Sequence, residues 1–177
     1  KMEMKSKNGI TYIAQAGVIA ALYVALTYIS AAFNLAYGPF QIRLSEMLTI
    51  LPVFTPAAIP GLVIGCVIGN LGSPLGIVDI IFGSVATLIA AILTRSFKPY
   101  KIKGLPVLSA LPPIIVNALV IGLELYIMLP AYAGLIGFAY GVLSVAAGQL
   151  IACLGLGLVL YVAIEKSGVK KSLHFES

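Results

Sequence analysis

Leu44 to Asn70 reads LSEMLTILPVFTPAAIPGLVIGCVIGN, an apolar stretch broken by Pro52, Pro56 and Pro60. A proline inside a helix removes a backbone hydrogen bond and clashes with the preceding turn. The stretch therefore supplies either two short helices or a re-entrant hairpin, and the choice sets the count of crossings for the whole chain.

The flanks supply the rest of the count. The chain has 177 residues, 60% hydrophobic and 10% charged, with a mean hydropathy of +1.08. Such a chain lacks the polar surface to cover a water-soluble globule, and its length suits one domain, residues 1–177. A helical crossing needs about 20 apolar residues. Four clear candidates surround the broken stretch, at residues 12–33, 77–95, 105–129 and 137–165. Lys5 and Lys7 precede the first. Arg95, Lys98, Lys101 and Lys103 follow the second, and Lys166, Lys170 and Lys171 follow the last. Basic clusters stay in the cytoplasm, so an even number of crossings separates Lys7 from Arg95. Two of these are clear, and the broken stretch adds two or none. Two short helices, 44–54 and 56–70, meeting at a cytoplasmic turn near Thr55-Pro56, are expected. The expected fold is an all-α integral membrane protein, a compact bundle of six transmembrane helices with both termini cytoplasmic. The first apolar run is too long for a cleavable signal peptide, and Lys1 ahead of Met2 reads as an artificial addition.

An ionisable group at bilayer depth costs roughly 2.5–3.5 kcal/mol on insertion scales and is seldom idle. Glu46, Asp79 and Glu124 are such groups. In this topology Asn34, Tyr37, Gln41, Arg43, Glu46, Asn70, Asp79 and Glu124 gather in the outer half, with Asn117 and Gln149 deeper. The pattern describes a cup open to the outside. Each residue also has a structural reading. Arg43 and Glu46, three apart, can pair with each other on a helix. Asp79 can cap the fourth helix and Asn70 can end the third. Asn117 and Gln149 can bond across helices, and the tyrosines can be interfacial anchors. Glu124 has no basic residue near it in sequence.

Small residues form three stripes. Gly61, Gly65 and Gly69 recur every four residues, as do Gly17, Ala21 and Ala25, with Ala16 and Ala20 beside them. Gly137, Gly141, Gly148 and Ala152 mark the last helix. Such faces let helices approach closely, either inside the bundle or against a partner protein. The first helix is the better candidate for a partner.

Several chemistries are absent from the sequence. There is no G-x-x-x-x-G-K-[ST] phosphate loop, no H-E-x-x-H and no G-x-S-x-G, so ATP hydrolysis and the common hydrolase designs are not expected. His174 stands in a polar tail and cannot build a metal cluster. Cys66 and Cys153 read as small buried hydrophobes. The basic clusters face lipid head groups, and nucleic-acid binding is not indicated.

The blocks Tyr37-Gly38-Pro39-Phe40-Gln41-Ile42-Arg43-Leu44-Ser45-Glu46-Met47-Leu48, Leu51-Pro52-Val53-Phe54-Thr55-Pro56-Ala57-Ala58-Ile59-Pro60-Gly61, Gly65-Cys66-Val67-Ile68-Gly69-Asn70 and Asp79-Ile80-Ile81-Phe82-Gly83-Ser84 closely resemble the QueT family. Its members are substrate-binding S components of energy-coupling factor (ECF) transporters, assigned to queuosine precursors. The resemblance implies a bacterial plasma-membrane protein without cofactor or catalysis. It captures its solute outside, then docks on a transmembrane T component and two ATPases that hydrolyse ATP. The stripe Ala16, Gly17, Ala20, Ala21 and Ala25 matches the contact surface for the T component. The solute implied is a deazaguanine, whose aminomethyl form is a cation. A carboxylate accepts its N–H and amino group together, and a second holds the ammonium. Asn70 or Asn117 reads the carbonyl and ring nitrogens. Tyr37, Tyr126, Tyr132 or Tyr140 stacks on the ring. The expected site is Glu124, Asp79, Asn70, Asn117, Arg43, Glu46, Tyr37 and Gln149. Another flat heterocyclic vitamin is the alternative solute, and an intramembrane enzyme using Asp79 and Glu124 the alternative class.

Overall fold

The computed structural model describes residues 2–37 and 41–168, with side chains from residue 9 onward. His174, Lys170 and Lys171 lie outside the described residues, as do Gly38, Pro39, Phe40 and the side chains of Lys5 and Lys7. The described chain is helical: α1 (Met2–Ala32), a 3₁₀ helix (Leu44–Val53), α2 (Ala58–Gly69), α3 (Ile77–Ser96), α4 (Val107–Met128), α5 (Gly134–Gln149), a π-helical segment (Leu150–Leu156) and α6 (Gly157–Ser167). Gly9–Ala32, Ile77–Ser96, Val107–Met128 and Gly134–Ser167 are each long and apolar enough to cross a membrane. The last of these runs without a break through the π segment.

The broken stretch folds back on itself. At about 2.0 Å per residue its ten-residue 3₁₀ helix runs about 20 Å, and the twelve residues of α2 run about 18 Å. Both are short for a bilayer and are sheltered by protein. The turn between them is held by three other elements. Thr55 Oγ1 donates to Gln15 Oε1 of α1 (2.8 Å). Arg95 Nη1 of α3 donates to the Pro52 carbonyl (2.9 Å). Phe54 stacks on Tyr161 of α6, with ring centroids 5.0 Å apart. The turn thus sits at the Arg95 end of the bundle. Cys66 and Cys153 are free and buried in different helices.

The glycine stripe of α2 is internal. A Cβ at Gly61 would lie 2.7 Å from the Ala16 carbonyl oxygen, one at Gly65 2.7 Å from Tyr23 Cβ, and one at Gly69 3.2 Å from Thr27. The residue numbers rise together, so α1 and α2 run parallel in contact. This packing corrects part of the expected partner surface. Ala16 and Ala20 are buried against the chain's own α2, because they share the helical face that carries Tyr23 and Thr27. Gly17, Ala21 and Ala25 lie on the exposed face. The glycines of α5 are also internal: Gly137 and Gly141 lie on Tyr132, and Gly148 lies on the Gln41 carbonyl.

Two turns close the bundle ends. Asn34, at φ 56°, ends α1 in a left-handed cap: its N–H donates to the Ala31 carbonyl and that of Leu35 to the Ser30 carbonyl, both at 2.9 Å. Lys103 and Gly104, at φ 51° and 81°, form the two-residue turn of an Ile102–Leu105 bridge. Beside it Lys101 Nζ donates to the Tyr161 hydroxyl (2.9 Å), which donates to Glu165 (3.2 Å). The Tyr161 bond holds the Lys101 ammonium above its ordinary pKa. The α3–α4 connection is thereby tied to α6.

Candidate functional site

The polar side chains collect at the other end of the bundle and along its core, in three layers. In the first, Arg43 stands just before the 3₁₀ helix in extended conformation (φ −79°, ψ 113°). Its Nε donates to the Ala36 carbonyl (2.7 Å), and its Nη2 lies 3.5 Å from Asp79 Oδ2. Its guanidinium lies over the Tyr37 ring at 5.1 Å, and the Tyr37 hydroxyl donates to the Gly69 carbonyl at 2.5 Å. Both members of the ion pair are buried. The expected Arg43–Glu46 pair does not form. Arg43 precedes the helical segment, so helical i, i+3 geometry does not apply, and its side chain reaches α3 instead. The expected cap is also replaced: Gly76 precedes α3 and no side chain caps the helix, while the Asp79 carboxylate is committed to Arg43.

Glu46 belongs to the second layer. The Tyr23 hydroxyl donates to its Oε1 at 2.5 Å and Asn117 Nδ2 to its Oε2 at 3.3 Å. Its backbone carbonyl takes the Thr49 hydroxyl at 2.6 Å, and the Cys153 sulfur lies 3.6 Å from that carbonyl. The same thiol lies 3.0 Å from Gln149 Oε1. This layer joins α1, the 3₁₀ helix, α4 and the π segment, so Glu46 acts as a structural hub. Tyr23 escaped the sequence reading, although a tyrosine in mid-span beside an alanine stripe is a signal for a buried polar contact. The Thr27–Ser45 hydroxyl bond of 2.8 Å beside it was likewise unforeseen.

Glu124 is different. It is 0% exposed, and both of its carboxylate oxygens lack a hydrogen-bond partner among the described residues. Asp79 and Arg43 are close enough to act on it electrostatically. Asn117 lies two turns earlier on the same face of α4. Asn70 Oδ1 is buried and equally without a partner among the described residues. Its amide nitrogen is fixed by the Asp79 carbonyl (3.1 Å) and fits only because residue 83 is glycine, where a Cβ would lie 2.6 Å away. Asn70 also ends α2 through its backbone, as its structural reading expected.

The donors and acceptors are now sorted. Asn70 directs its amide nitrogen at both the Asp79 carbonyl and the Cys66 sulfur, which leaves its oxygen as an acceptor. Asn117 directs one bond from its amide nitrogen at Glu46, and the NH2 group has a second hydrogen to donate. Gln149 spends its oxygen on Cys153, which leaves its amide nitrogen to donate. The tyrosines divide as well. Tyr126 is exposed and meets Phe138 edge-on at 5.9 Å. Tyr132 is buried beside Tyr140, at 6.0 Å between centroids. Tyr37 is the one joined to the Arg43–Asp79 layer. An ion removed from water without a partner is strongly unfavourable. The Glu124 carboxylate and the Asn70 amide oxygen are thus buried acceptors without a hydrogen-bond partner among the described residues, and a donor-rich group would satisfy them.

The family model for the QueT transporter matches residues 13–166. The chain belongs to the QueT transporter family. It is also 40% identical over 84 residues to a protein described as queuosine precursor transporter QueT from Lactococcus lactis subsp. cremoris (strain MG1363). That alignment covers 47% of this chain and 49% of the relative, so the match spans about half the length of each. No solved structure matches the chain.

Proposed function

We propose that this member of the QueT family is the solute-capturing S component of an ECF importer in the bacterial plasma membrane, and that its solute is a queuosine precursor. The observation that carries the reading is Glu124, enclosed with both oxygens unpartnered among the described residues. A deazaguanine presents an N–H and an amino group side by side, which one carboxylate accepts as a charge-assisted pair. Its carbonyl meets the Gln149 or Asn117 amide nitrogen, and Asn70 Oδ1 takes a further donor. Glu124 leaves a net negative site, since Asp79 is neutralised by Arg43. The aminomethyl form, a cation, suits that balance. Tyr37, tied to Arg43 and Gly69, stacks on or covers the ring.

In this reading the chain crosses the membrane six times with both ends cytoplasmic, and the 3₁₀–α2 hairpin forms crossings two and three. Support comes from the parallel run of α1 and α2 and from the hairpin turn at the level of Arg95 and Gln15. Gly17, Ala21 and Ala25 form the contact for a T component, and ATP is hydrolysed by two partner ATPases.

Calorimetric titration of the purified chain with deazaguanines tests the reading. Stoichiometric binding of the aminomethyl form without turnover is expected. Binding of a different flat heterocycle alone would transfer the reading to another vitamin, and product formation would replace capture by catalysis. Labelling from the exterior of single cysteines at Leu71 and Ile77, exposed at the Asn70–Asp79 end of the bundle, checks the sidedness.

A further inference from the structure

The amide of Asn70 is held by its nitrogen. Nδ2 donates to the Asp79 carbonyl of α3 at 3.1 Å and lies 3.4 Å from Cys66 Sγ, one turn earlier on α2. An NH2 group has two hydrogens to donate, and these two partners use both. The Asp79 carbonyl can only accept, so it fixes which end of the amide faces it. Turned over, the amide would set oxygen against oxygen. Oδ1 is the end left over, buried and without a partner among the described residues.

Gly83 makes room for this arrangement. A Cβ there would lie 2.6 Å from Asn70 Nδ2 and 3.5 Å from Cys66 Sγ. α3 thus carries glycine, a poor helix former, at the point where the amide rests. Gly83 stands one turn after Asp79, so the carbonyl that takes the amide and the gap that admits it share one face of the helix. A purely structural clamp between α2 and α3 would use both ends of the amide, because a buried acceptor left without a partner is unfavourable. Asp79 also acts electrostatically on Glu124, so the unpartnered Asn70 oxygen and the unpartnered Glu124 carboxylate belong to one polar region.

We propose that Gly83 and Cys66 are positioning residues for solute selection. They hold Asn70 with its oxygen presented to the cup, so that the cup prefers, at that point, a solute group that donates a hydrogen bond over one that cannot. The inference rests on the reading of the cup as a deazaguanine site. In such a solute the donors not taken by Glu124 are the N–H of the five-membered ring and the aminomethyl arm.

Calorimetry on the purified full chain tests this with three deazaguanines: the aminomethyl form, the same ring with a methyl arm, and the aminomethyl form with oxygen in place of the five-membered-ring N–H. Each analogue lacks one donor without added bulk. The wild-type chain should disfavour at least one of them by about tenfold, the scale of leaving one buried acceptor unsatisfied. In Gly83→Ala that preference should fall to the value found in Asn70→Ala, and the double variant should lower it no further, since both changes act through one amide. The Gly83→Ala melting temperature should stay near that of the wild type, because the atom in the way is the end of a side chain and alanine is the better helix former. Cys66→Ala removes the sulfur acceptor without adding bulk and should lower the same preference; it carries the test if Gly83→Ala does not fold. Equal weakening of all three solutes in these variants, or no weakening, makes Gly83 and Cys66 structural and overturns the inference. So does a wild-type chain that binds the aminomethyl form and disfavours neither analogue, an outcome that leaves the capture reading standing. Failure of every deazaguanine to bind the wild-type chain overturns the capture reading and this inference with it.

Discussion

Replacing Glu124 by glutamine separates binding from stability. The side chain has zero exposure and two oxygens without a partner among the described residues. In the unliganded protein it is a buried polar group whose lost hydration nothing returns, an arrangement that costs about 1–3 kcal/mol, and more for a charge. Glutamine keeps the shape and removes the ionisable group, so the unliganded variant should melt at the wild-type temperature or above it. Binding should move the other way. Loss of one partner of a buried charged contact costs about 2–5 kcal/mol, which corresponds to roughly 30-fold to several-thousand-fold in Kd. Both quantities can be read on one preparation, by thermal unfolding without ligand and by calorimetry with the aminomethyl deazaguanine. A structural glutamate would show the opposite pattern, with destabilisation of about 3–5 kcal/mol when its partner is left unpaired. Unchanged affinity, or a clear fall in the unliganded melting temperature, would refute the assignment of Glu124 as the solute carboxylate.

The two faces of α1 should respond differently to bulk. Ala21→Trp, on the exposed face, should leave solute binding intact and abolish uptake by the assembled transporter; loss of binding would place Ala21 inside the bundle. Ala20→Leu, packed on α2, should lower stability by about 1–3 kcal/mol by overpacking, seen in the melting temperature. Arg43→Met should cost about 3–5 kcal/mol, because Asp79 is left buried and unpaired, and adding Asp79→Leu should recover much of the loss. Gly148→Ala would put a Cβ 1.7 Å from the Gln41 carbonyl oxygen, a clash of backbone with side chain that only separation of the elements relieves. It should fall at or above the top of a cost of about 1–3 kcal/mol. Gly17→Ala, with open space around it, should be close to neutral in the same assay.

The sequence by itself settled what depends on composition and local pattern. The long apolar runs had to be helices, because a bilayer offers the backbone no other partners. Pro52, Pro56 and Pro60 divided the Leu44–Asn70 stretch, since proline cannot continue an α-helix. Family membership was legible in the Arg43-x-x-Glu46 and Asp79-Ile80-Ile81-Phe82-Gly83-Ser84 blocks, and Glu124 stood out as an acid with no local partner. Only the tertiary structure decided which polar groups are satisfied. Pairings over long sequence separations, Arg43 with Asp79 and Tyr23 with Glu46, left no trace in local spacing. Nor did the amides of Asn70 and Asn117, turned toward the protein by contacts from other helices. The two faces of the α1 stripe were likewise inseparable by period. Small residues suit both a buried and a partner-facing surface, and it took the packing of α2 to assign Ala16 and Ala20 to the interior and to leave Gly17, Ala21 and Ala25 outside.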